Sequence, residues 1–125
     1  MADKEKHILI VEDSENILKL LELMLGFEGW KVSSLTSLDT IIENVSQIKP
    51  QIILMDMLLS GANGCDACIA IKEDEQLKNI PVIIMSAHPE AHEEAKAAGA
   101  NGFVAKPFEM NYLIEKIEKA WQGHS

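Results

Sequence analysis

The sequence predicts an α/β fold in which a parallel sheet is covered by helices on both faces. Short apolar runs alternate with stretches that space their apolar residues as helices do, and this alternation recurs five times along the 125 residues. The runs themselves show no polar alternation, as expected for strands that are buried on both faces. Right-handed crossovers then place the helices on the two faces of the sheet. We expect one domain over residues 1–125, with its core at about 7–122.

The first strand–helix unit is the most clearly patterned. Residues 8–11 form an apolar run rich in β-branched side chains, and Ser14 follows as a helix N-cap. Spacings of three and four then predict a helix whose buried face carries Ile17, Leu20, Leu21, Met24 and Leu25. Gly29 marks the end of this helix.

The second and third units are read in the same way. Residues 31–35 predict a weaker strand, and the helix after it carries Leu38, Ile41, Ile42 and Val45. The third strand, at residues 52–55, leads directly into Asp56. A loop precedes the third helix and contains Ser60, Gly61, Asn63 and Gly64. That helix is predicted at about residues 65–72.

The fourth and fifth units complete the pattern. Pro81 introduces a strand at residues 82–85, and Pro89 suits the first turn of the helix that follows. This helix has an alanine stripe that predicts close packing on the sheet: Ala91, Ala95 and Ala98. The fifth strand is predicted at residues 102–105. A last helix from about Glu109 carries on one face Leu113, Ile117, Ala120 and Trp121.

The charge balance argues against nucleic acid and membranes as direct partners. The formal net charge is −9, and all 11 basic residues are lysine. Arginine is the usual bidentate ligand of guanine and phosphate, and an acidic surface is repelled by a phosphate backbone. No apolar run reaches the roughly 20 residues of a membrane-spanning helix, and the start lacks a signal-peptide pattern. We therefore expect a cytoplasmic protein.

Polar side chains stand where the predicted core strands end. They are Glu12, Asp13, Asp56, Ser86 and Lys106. Because the carboxyl ends of parallel strands meet at one edge, we expect these side chains to converge. At about 4 Å and an effective dielectric of 20, each pair of carboxylates repels by roughly 4 kcal/mol, which favours a bound cation such as Mg²⁺. A carboxylate nucleophile, a metal, an ammonium and a hydroxyl together could hold and accept a phosphoryl group.

Several segments resemble the signature blocks of response-regulator receiver domains of two-component systems. They are Val11-Glu12-Asp13, Leu54-Met55-Asp56, Met85-Ser86-Ala87, Ala97-Ala98-Gly99-Ala100-Asn101-Gly102 and Phe103-Val104-Ala105-Lys106-Pro107-Phe108. The resemblance covers roughly residues 8–121. Within the family, the chain resembles stand-alone regulators of either the chemotaxis type or the phosphorelay type. It implies a flavodoxin-like, doubly wound sheet of five strands in the order 2-1-3-4-5, with five helices.

The resemblance also implies a role for each polar residue. Asp56 would accept a phosphoryl group from the phosphohistidine of a histidine kinase or phosphotransfer protein. The ligands of Mg²⁺ would be Glu12, Asp13, Asp56 and the backbone carbonyl of Leu58, with Glu12 acting directly or through a water molecule. Lys106 and Ser86 would contact the phosphoryl oxygens. The protein would then be a signalling phosphoacceptor that catalyses only its own magnesium-dependent phosphorylation and dephosphorylation.

Further positions follow from the same resemblance. Ser86 and Phe103 would act as the switch that changes the face of the fourth helix, fifth strand and fifth helix, where a downstream protein partner binds. The peptide bond between Lys106 and Pro107 would be cis. The lifetime of the phosphoryl group would be tuned at Leu58 and His88. Two positions depart from the family pattern, since Ser60 replaces a common proline and Asn63 a frequent aspartate.

Some features have a second interpretation. Phe103 is by default a core aromatic residue rather than a switch. Cys65 and Cys68 open the third helix and could form a redox pair or bind a metal, although packing is simpler. His88 and His92 are four residues apart, but two possible metal ligands without a third are weak evidence, and exposure to solvent is simpler.

Two other functions use a similar set of residues. An aspartate-nucleophile phosphatase would normally carry a second acid two residues after the nucleophile, where this chain has Leu58. A pseudo-receiver would bind partners without phosphorylation, which the presence of all five polar residues argues against. A dinucleotide-binding domain is disfavoured, because no glycine-rich turn follows the first strand.

Overall fold

The computed structural model describes residues 6–59, 61–88 and 90–122. Five parallel strands form the main sheet, in the order β2-β1-β3-β4-β5. The strands are β1 (His7–Val11), β2 (Lys31–Leu35), β3 (Ile52–Asp56), β4 (Val82–Ser86) and β5 (Gly102–Ala105). The helices are α1 (Glu15–Phe27), α2 (Ile41–Ile48), α3 (Gly64–Glu73), α4 (Ala91–Ala97) and α5 (Met110–Gln122). The predicted fold class and strand order are confirmed.

The central strands lack polar alternation because both of their faces are buried. In β1, Ile8 and Ile10 pack in one hydrophobic cluster with residues of α1 and α5. Leu9 and Val11 point the other way and pack with residues of α2, α3 and α4. Successive side chains of a strand point to opposite faces, so every residue of a doubly covered strand must be apolar.

The buried face of α1 differs from the predicted one at Leu20. This side chain is 49% exposed, and Leu18 is buried in its place together with Leu21 and Leu25. The helix carries a second apolar row on its solvent side, at Leu20, Leu23 and Phe27. Spacings of three and four fit both rows, so the pattern alone did not separate them.

The other helices differ from the predictions mainly at their ends. Because α2 begins at Ile41, Leu38 lies before the helix, although it still packs against the core. The alanine stripe of α4 is buried as predicted. Predictions for Ser60 and Pro89 lie outside the described residues. Within the described ranges, no helix combines the length and the apolar character that crossing a membrane requires.

The two cysteines of α3 belong to the hydrophobic core. Cys65 and Cys68 are both free and buried. The Cys68 thiol donates to the carbonyl oxygen of Ala98 at 3.6 Å. Burial raises the pKa of the Cys68 thiol to about 11, so the reactive thiolate is scarce at neutral pH. This environment favours the packing interpretation over a redox pair.

Candidate functional site

The candidate site lies at the carboxyl ends of β1, β3 and β5. Val11 pairs with Met55, so the residues that follow them, Glu12 and Asp56, emerge side by side. Asp56 is the last residue of β3, and Lys106 follows β5 directly. The peptide bond between Lys106 and Pro107 is cis. The parallel sheet therefore brings together charged residues that are far apart in the sequence.

Lys106 is the central cation of the site. Its Nζ donates to Glu12 Oε1 at 3.0 Å and to Asp56 Oδ2 at 3.2 Å. Burial alone lowers the pKa of this ammonium. The hydrogen bond to Glu12 and the charges of Asp56 and Glu12 outweigh that effect, and the pKa lies above its usual value. Lys106 is therefore a fixed positive charge beside Asp56.

Glu12 is a buried carboxylate with a partner for each oxygen. Its side chain is 1% exposed. Besides the contact with Lys106, its Oε2 accepts a hydrogen bond from the backbone N–H of Ser14 at 3.0 Å. The Ser14 hydroxyl in turn caps α1 by accepting from the N–H of Ile17. The start of α1 therefore fixes the position of Glu12.

The acidic residues fit a divalent cation. One carboxylate oxygen from each of Glu12, Asp13 and Asp56 lies within 4.8 Å of the other two. Asp13 is exposed, and no described residue forms a hydrogen bond or ion pair with its side chain. The cluster has three negative charges and one positive charge, and hard carboxylate oxygens are preferred ligands of Mg²⁺. Binding of Mg²⁺ would relieve the repulsion that remains after pairing with Lys106.

Asp13→Asn tests whether this repulsion is real. Without divalent ions, we expect the variant to be more stable than the wild type, by up to about 1 kcal/mol, because one negative charge is removed. With Mg²⁺ at 100 times its dissociation constant, the wild type should gain about 2.7 kcal/mol, and the variant less. Urea unfolding in EDTA and in Mg²⁺ measures both effects.

Asp39→Asn is the matched control for this change. Asp39 is an exposed aspartate that lies outside the cluster. We expect its replacement to leave the response to Mg²⁺ unchanged. An Asp13→Asn variant that is less stable than the wild type in EDTA would contradict the predicted repulsion.

The segment after Asp56 is held close to β3. Leu58–Leu59 pairs with Ala62–Asn63 as a short antiparallel ladder. The Asn63 side chain accepts a hydrogen bond from the N–H of Cys65 at 2.7 Å and so caps α3. A Cβ atom at Gly64 would lie 2.5 Å from the carbonyl oxygen of Asp56. Only glycine therefore fits where the chain passes Asp56.

Ser86 reaches the edge of the sheet but its hydroxyl has a different partner. The residue ends β4 and is 3% exposed. Its Oγ accepts a hydrogen bond from the backbone N–H of His88 at 3.1 Å. Among the described residues, no hydrogen bond joins Ser86 Oγ to Asp56 or Lys106. The structure thus brings the four charged residues together but leaves the serine hydroxyl turned towards the next loop.

Phe103 lies on the far side of β4 from β3, next to α4. Its ring stacks on the imidazole of His92, with ring centroids 5.0 Å apart and an angle of 11° between the planes. Phe103 is half-buried and His92 is exposed. His88 and His92 do not belong to an acidic, cysteine or histidine cluster of metal-binding geometry among the described residues. The stack was not predicted, because sequence spacing alone does not show which strand residue an α4 side chain meets.

The two positions named for phosphoryl lifetime face a common groove. Leu58 and His88 line it together with Met57, Glu90, Ala91 and Glu94. Both Leu58 and His88 are exposed, and each lies two residues beyond a predicted site residue. Asp56 itself does not line this groove, so the tuning role of Leu58 and His88 stays a prediction.

The comparisons with known proteins point to one family. A family model described as the response regulator receiver domain matches residues 8–118. The chain is 31% identical to the transcriptional regulatory protein CseB of Streptomyces coelicolor over 129 residues, covering 100% of this chain and 53% of that protein. It is 24% identical to the DNA-binding response regulator MtrA of Mycolicibacterium smegmatis, covering 94% and 51% of the two chains. The chain thus spans about half the length of these curated relatives.

One similar solved structure contains a bound metal ion. It is the receiver domain of a Pseudomonas aeruginosa sensor histidine kinase, whose description reports a magnesium ion in the active-site cleft. The identity is 26%, the TM-score is 0.85, and the match covers 95% of this chain and 99% of that one. Because the family model matches most of the chain, this chain belongs to the response regulator receiver domain family.

Proposed function

We propose that this chain is a phosphorylation-dependent signalling switch that accepts a phosphoryl group on Asp56 from the phosphohistidine of a histidine kinase or phosphotransfer protein. The observation that carries the proposal is the contact of Lys106 Nζ with both Asp56 and Glu12, beside three clustered carboxylates. The family match supports the same conclusion. We further propose that residues 1–125 act as one receiver unit.

Asp56 has the geometry of a nucleophile with one oxygen available. Its Oδ2 is held by Lys106, and no described residue forms a hydrogen bond with Oδ1. In the proposed step, a bond forms between an Asp56 oxygen and phosphorus as the bond from phosphorus to the histidine nitrogen breaks. The donor imidazole leaves with the electron pair and takes up a proton. Lys106 stabilises the charge on the phosphoryl oxygens.

The proposed metal ligands are Glu12, Asp13, Asp56 and the backbone carbonyl of Leu58. Bound Mg²⁺ would neutralise charge on the carboxylates and on the phosphoryl oxygens. Both oxygens of Glu12 already have protein partners, so we propose that it contributes through a water molecule. The magnesium reported in the similar Pseudomonas aeruginosa receiver domain supports this assignment.

The output is proposed to use Ser86, Phe103 and the face formed by α4, β5 and α5. A phosphoryl group adds negative charge and acceptor oxygens. The Ser86 hydroxyl would therefore give up its hydrogen bond from the His88 N–H and donate to a phosphoryl oxygen instead. Phe103 would then move inward into the space that Ser86 leaves. Phosphorylation thus shifts the population of this face, and a downstream protein that prefers the new state binds more tightly.

A groove at this face supports the proposed docking of a protein partner. It has a volume of about 280 Å³ and lies between α4 and α5. Phe103 lines it together with His92, Lys96 and Lys116, whereas no acidic side chain does so among the described residues. A cationic groove on a chain of net charge −9 suits an acidic segment of a protein.

Two finer assignments accompany the proposal. Leu58 and His88 tune the lifetime of the phosphoryl group by controlling what reaches Asp56 through their shared groove. The partners are a histidine kinase and a downstream protein in the cytoplasm, without direct contact to membranes or nucleic acid by this segment. The DNA-binding relative MtrA is about twice as long as the matched segment. Its printed description therefore does not assign DNA binding to the half that this chain resembles.

Phosphorylation by a small donor tests the proposed function. In acetyl phosphate and Mg²⁺, we expect the wild type to gain the mass of one phosphoryl group and to lose this gain when EDTA replaces Mg²⁺. Asp56→Asn should gain nothing, because the amide is not a nucleophile. Intact-protein mass spectrometry at neutral pH measures the labelled fraction.

Asp39→Asn is again the control and should be labelled like the wild type. Equal labelling of Asp56→Asn would remove the acceptor assignment. Turnover of p-nitrophenyl phosphate by the wild type, beyond one equivalent, would instead favour the phosphatase alternative. Partner binding that ignores Asp56→Asn would favour the pseudo-receiver.

A further inference from the structure

The contact between His92 and Phe103 joins α4 to β5 at the proposed output face. The two rings are almost parallel, with 11° between their planes and 5.0 Å between their centroids. Stacked aromatic rings attract each other beyond simple burial when they adopt such an offset arrangement. His92 is itself exposed, so packing against the core does not explain its position. The contact that positions the His92 imidazole is its stack on the ring of Phe103.

Phe103 has little else to hold its ring at the surface. It pairs with Ile84 of β4 in the sheet and packs against the edge of the core on the α2–α4 side. The open side of the ring faces the groove that Lys96 and Lys116 line. An aromatic side chain that is half-exposed gains by moving inward whenever space is available. His92 covers the ring and so opposes that movement.

Ser86, the serine of the proposed switch, is in the orientation expected before phosphorylation. Ser86 lies two residues after Ile84 in β4, and its hydroxyl is turned to the His88 N–H rather than to Asp56. The outward ring of Phe103 and the retracted hydroxyl of Ser86 thus occur together in this structure.

We propose that His92 is a positioning residue that holds Phe103 in its outward orientation before phosphorylation. The inference rests on the proposed function, because it assigns Phe103 the role of the moving aromatic residue. Inward movement of Phe103 breaks the stack. Loss of the imidazole therefore raises the fraction of molecules in the inward state without any change at Asp56.

Fluorine NMR on the full chain tests this directly. The sequence has three phenylalanines, so 4-fluorophenylalanine gives three signals, and Phe103→Leu identifies the one of Phe103. Phosphorylation by acetyl phosphate and Mg²⁺ should shift this signal in the wild type. In unphosphorylated His92→Ala, we expect it to move part of the way in the same direction. The inward population should rise about five-fold, as expected for loss of one aromatic contact.

Two variants separate the stack from the groove as a whole. His92→Tyr keeps an aromatic ring without adding a fourth fluorinated phenylalanine, and it should restore the wild-type signal. Lys96→Ala removes a neighbour one turn along α4 that lines the groove, and it should leave the signal of Phe103 in place. His92→Ala should also be phosphorylated faster by acetyl phosphate, because more molecules already resemble the phosphorylated state.

The outcomes distinguish this inference from the function on which it rests. If Asp56 is phosphorylated but the Phe103 signal of His92→Ala equals that of the wild type, the positioning role of His92 is wrong and the phosphoacceptor stands. A shift of the same size in Lys96→Ala would also contradict it. If the wild type is never phosphorylated, the proposed function fails and the inference fails with it.

Discussion

Replacing Lys106 with methionine is expected to slow the phosphorylation of Asp56 about 100-fold, because the phosphoryl oxygens lose their fixed cation. The same change should lower the free energy of unfolding in EDTA by about 3 kcal/mol. Glu12 is 1% exposed, and Lys106 is its one cationic partner among the described residues. Methionine keeps the length of the side chain but leaves this buried carboxylate without a cationic partner, with only its hydrogen bond from the Ser14 N–H.

Magnesium should separate the two effects of Lys106→Met. A bound divalent cation would neutralise the carboxylates, so the loss of stability should shrink in Mg²⁺ while the slow phosphorylation persists. Lys78→Met is the control, since Lys78 forms an exposed ion pair with Glu75 away from the site. That change should alter stability by less than about 0.5 kcal/mol. Wild-type stability of Lys106→Met in EDTA would contradict the assigned pairing of Glu12.

Adding one methyl group at Gly64 is the second large effect that we expect. Gly64→Ala should lower the free energy of unfolding by about 2 kcal/mol, because overpacking forces a backbone shift. The new Cβ would lie 2.5 Å from the carbonyl oxygen of Asp56 and 3.2 Å from the Cα of Met57. Both contacts are with backbone atoms, which cannot rotate away as a side chain would. The shift therefore falls on Asp56, the proposed acceptor, and we expect slower phosphorylation as well.

Gly26→Ala is the matched control for Gly64→Ala. Gly26 lies in α1, and a Cβ atom there would meet nothing within 4 Å. Alanine favours a helix over glycine, so this variant should gain stability, by about 0.5–1 kcal/mol. Chemical denaturation of both variants, with the labelling rate from acetyl phosphate, measures the contrast. A Gly64→Ala protein as stable and as quickly phosphorylated as the wild type would show that the chain after Asp56 can move freely.

The fold could be predicted because its central strands, unlike the edge strand β2, are almost entirely apolar. Uninterrupted runs such as Ile52–Leu54 are characteristic of strands buried on both faces, and the strict strand–helix alternation then leaves few topologies. The exposed row of α1 shows the limit of such reasoning. Leu18 and Leu20 are both leucines near the start of the helix, and only the packing of α1 on the sheet decides which is buried.

The charged part of the site could also be predicted, and its polar details could not. Glu12, Asp56 and Lys106 meet because parallel strands end at a common edge, a property of topology that the sequence reveals. The orientation of the Ser86 hydroxyl depends on a local hydrogen bond with His88. The stack of His92 on Phe103 depends on how α4 lies beside β5. Neither leaves a spacing pattern in the chain.

Locating the phosphoryl group within the chain tests the central claim most directly. An acyl phosphate is reduced by borohydride to an alcohol, so a phosphorylated aspartate becomes homoserine. After treatment with acetyl phosphate and Mg²⁺, we expect peptide sequencing by mass spectrometry to find homoserine at position 56. Homoserine at position 13, or phosphate confined to a histidine or serine, would contradict the assignment of Asp56 as the acceptor.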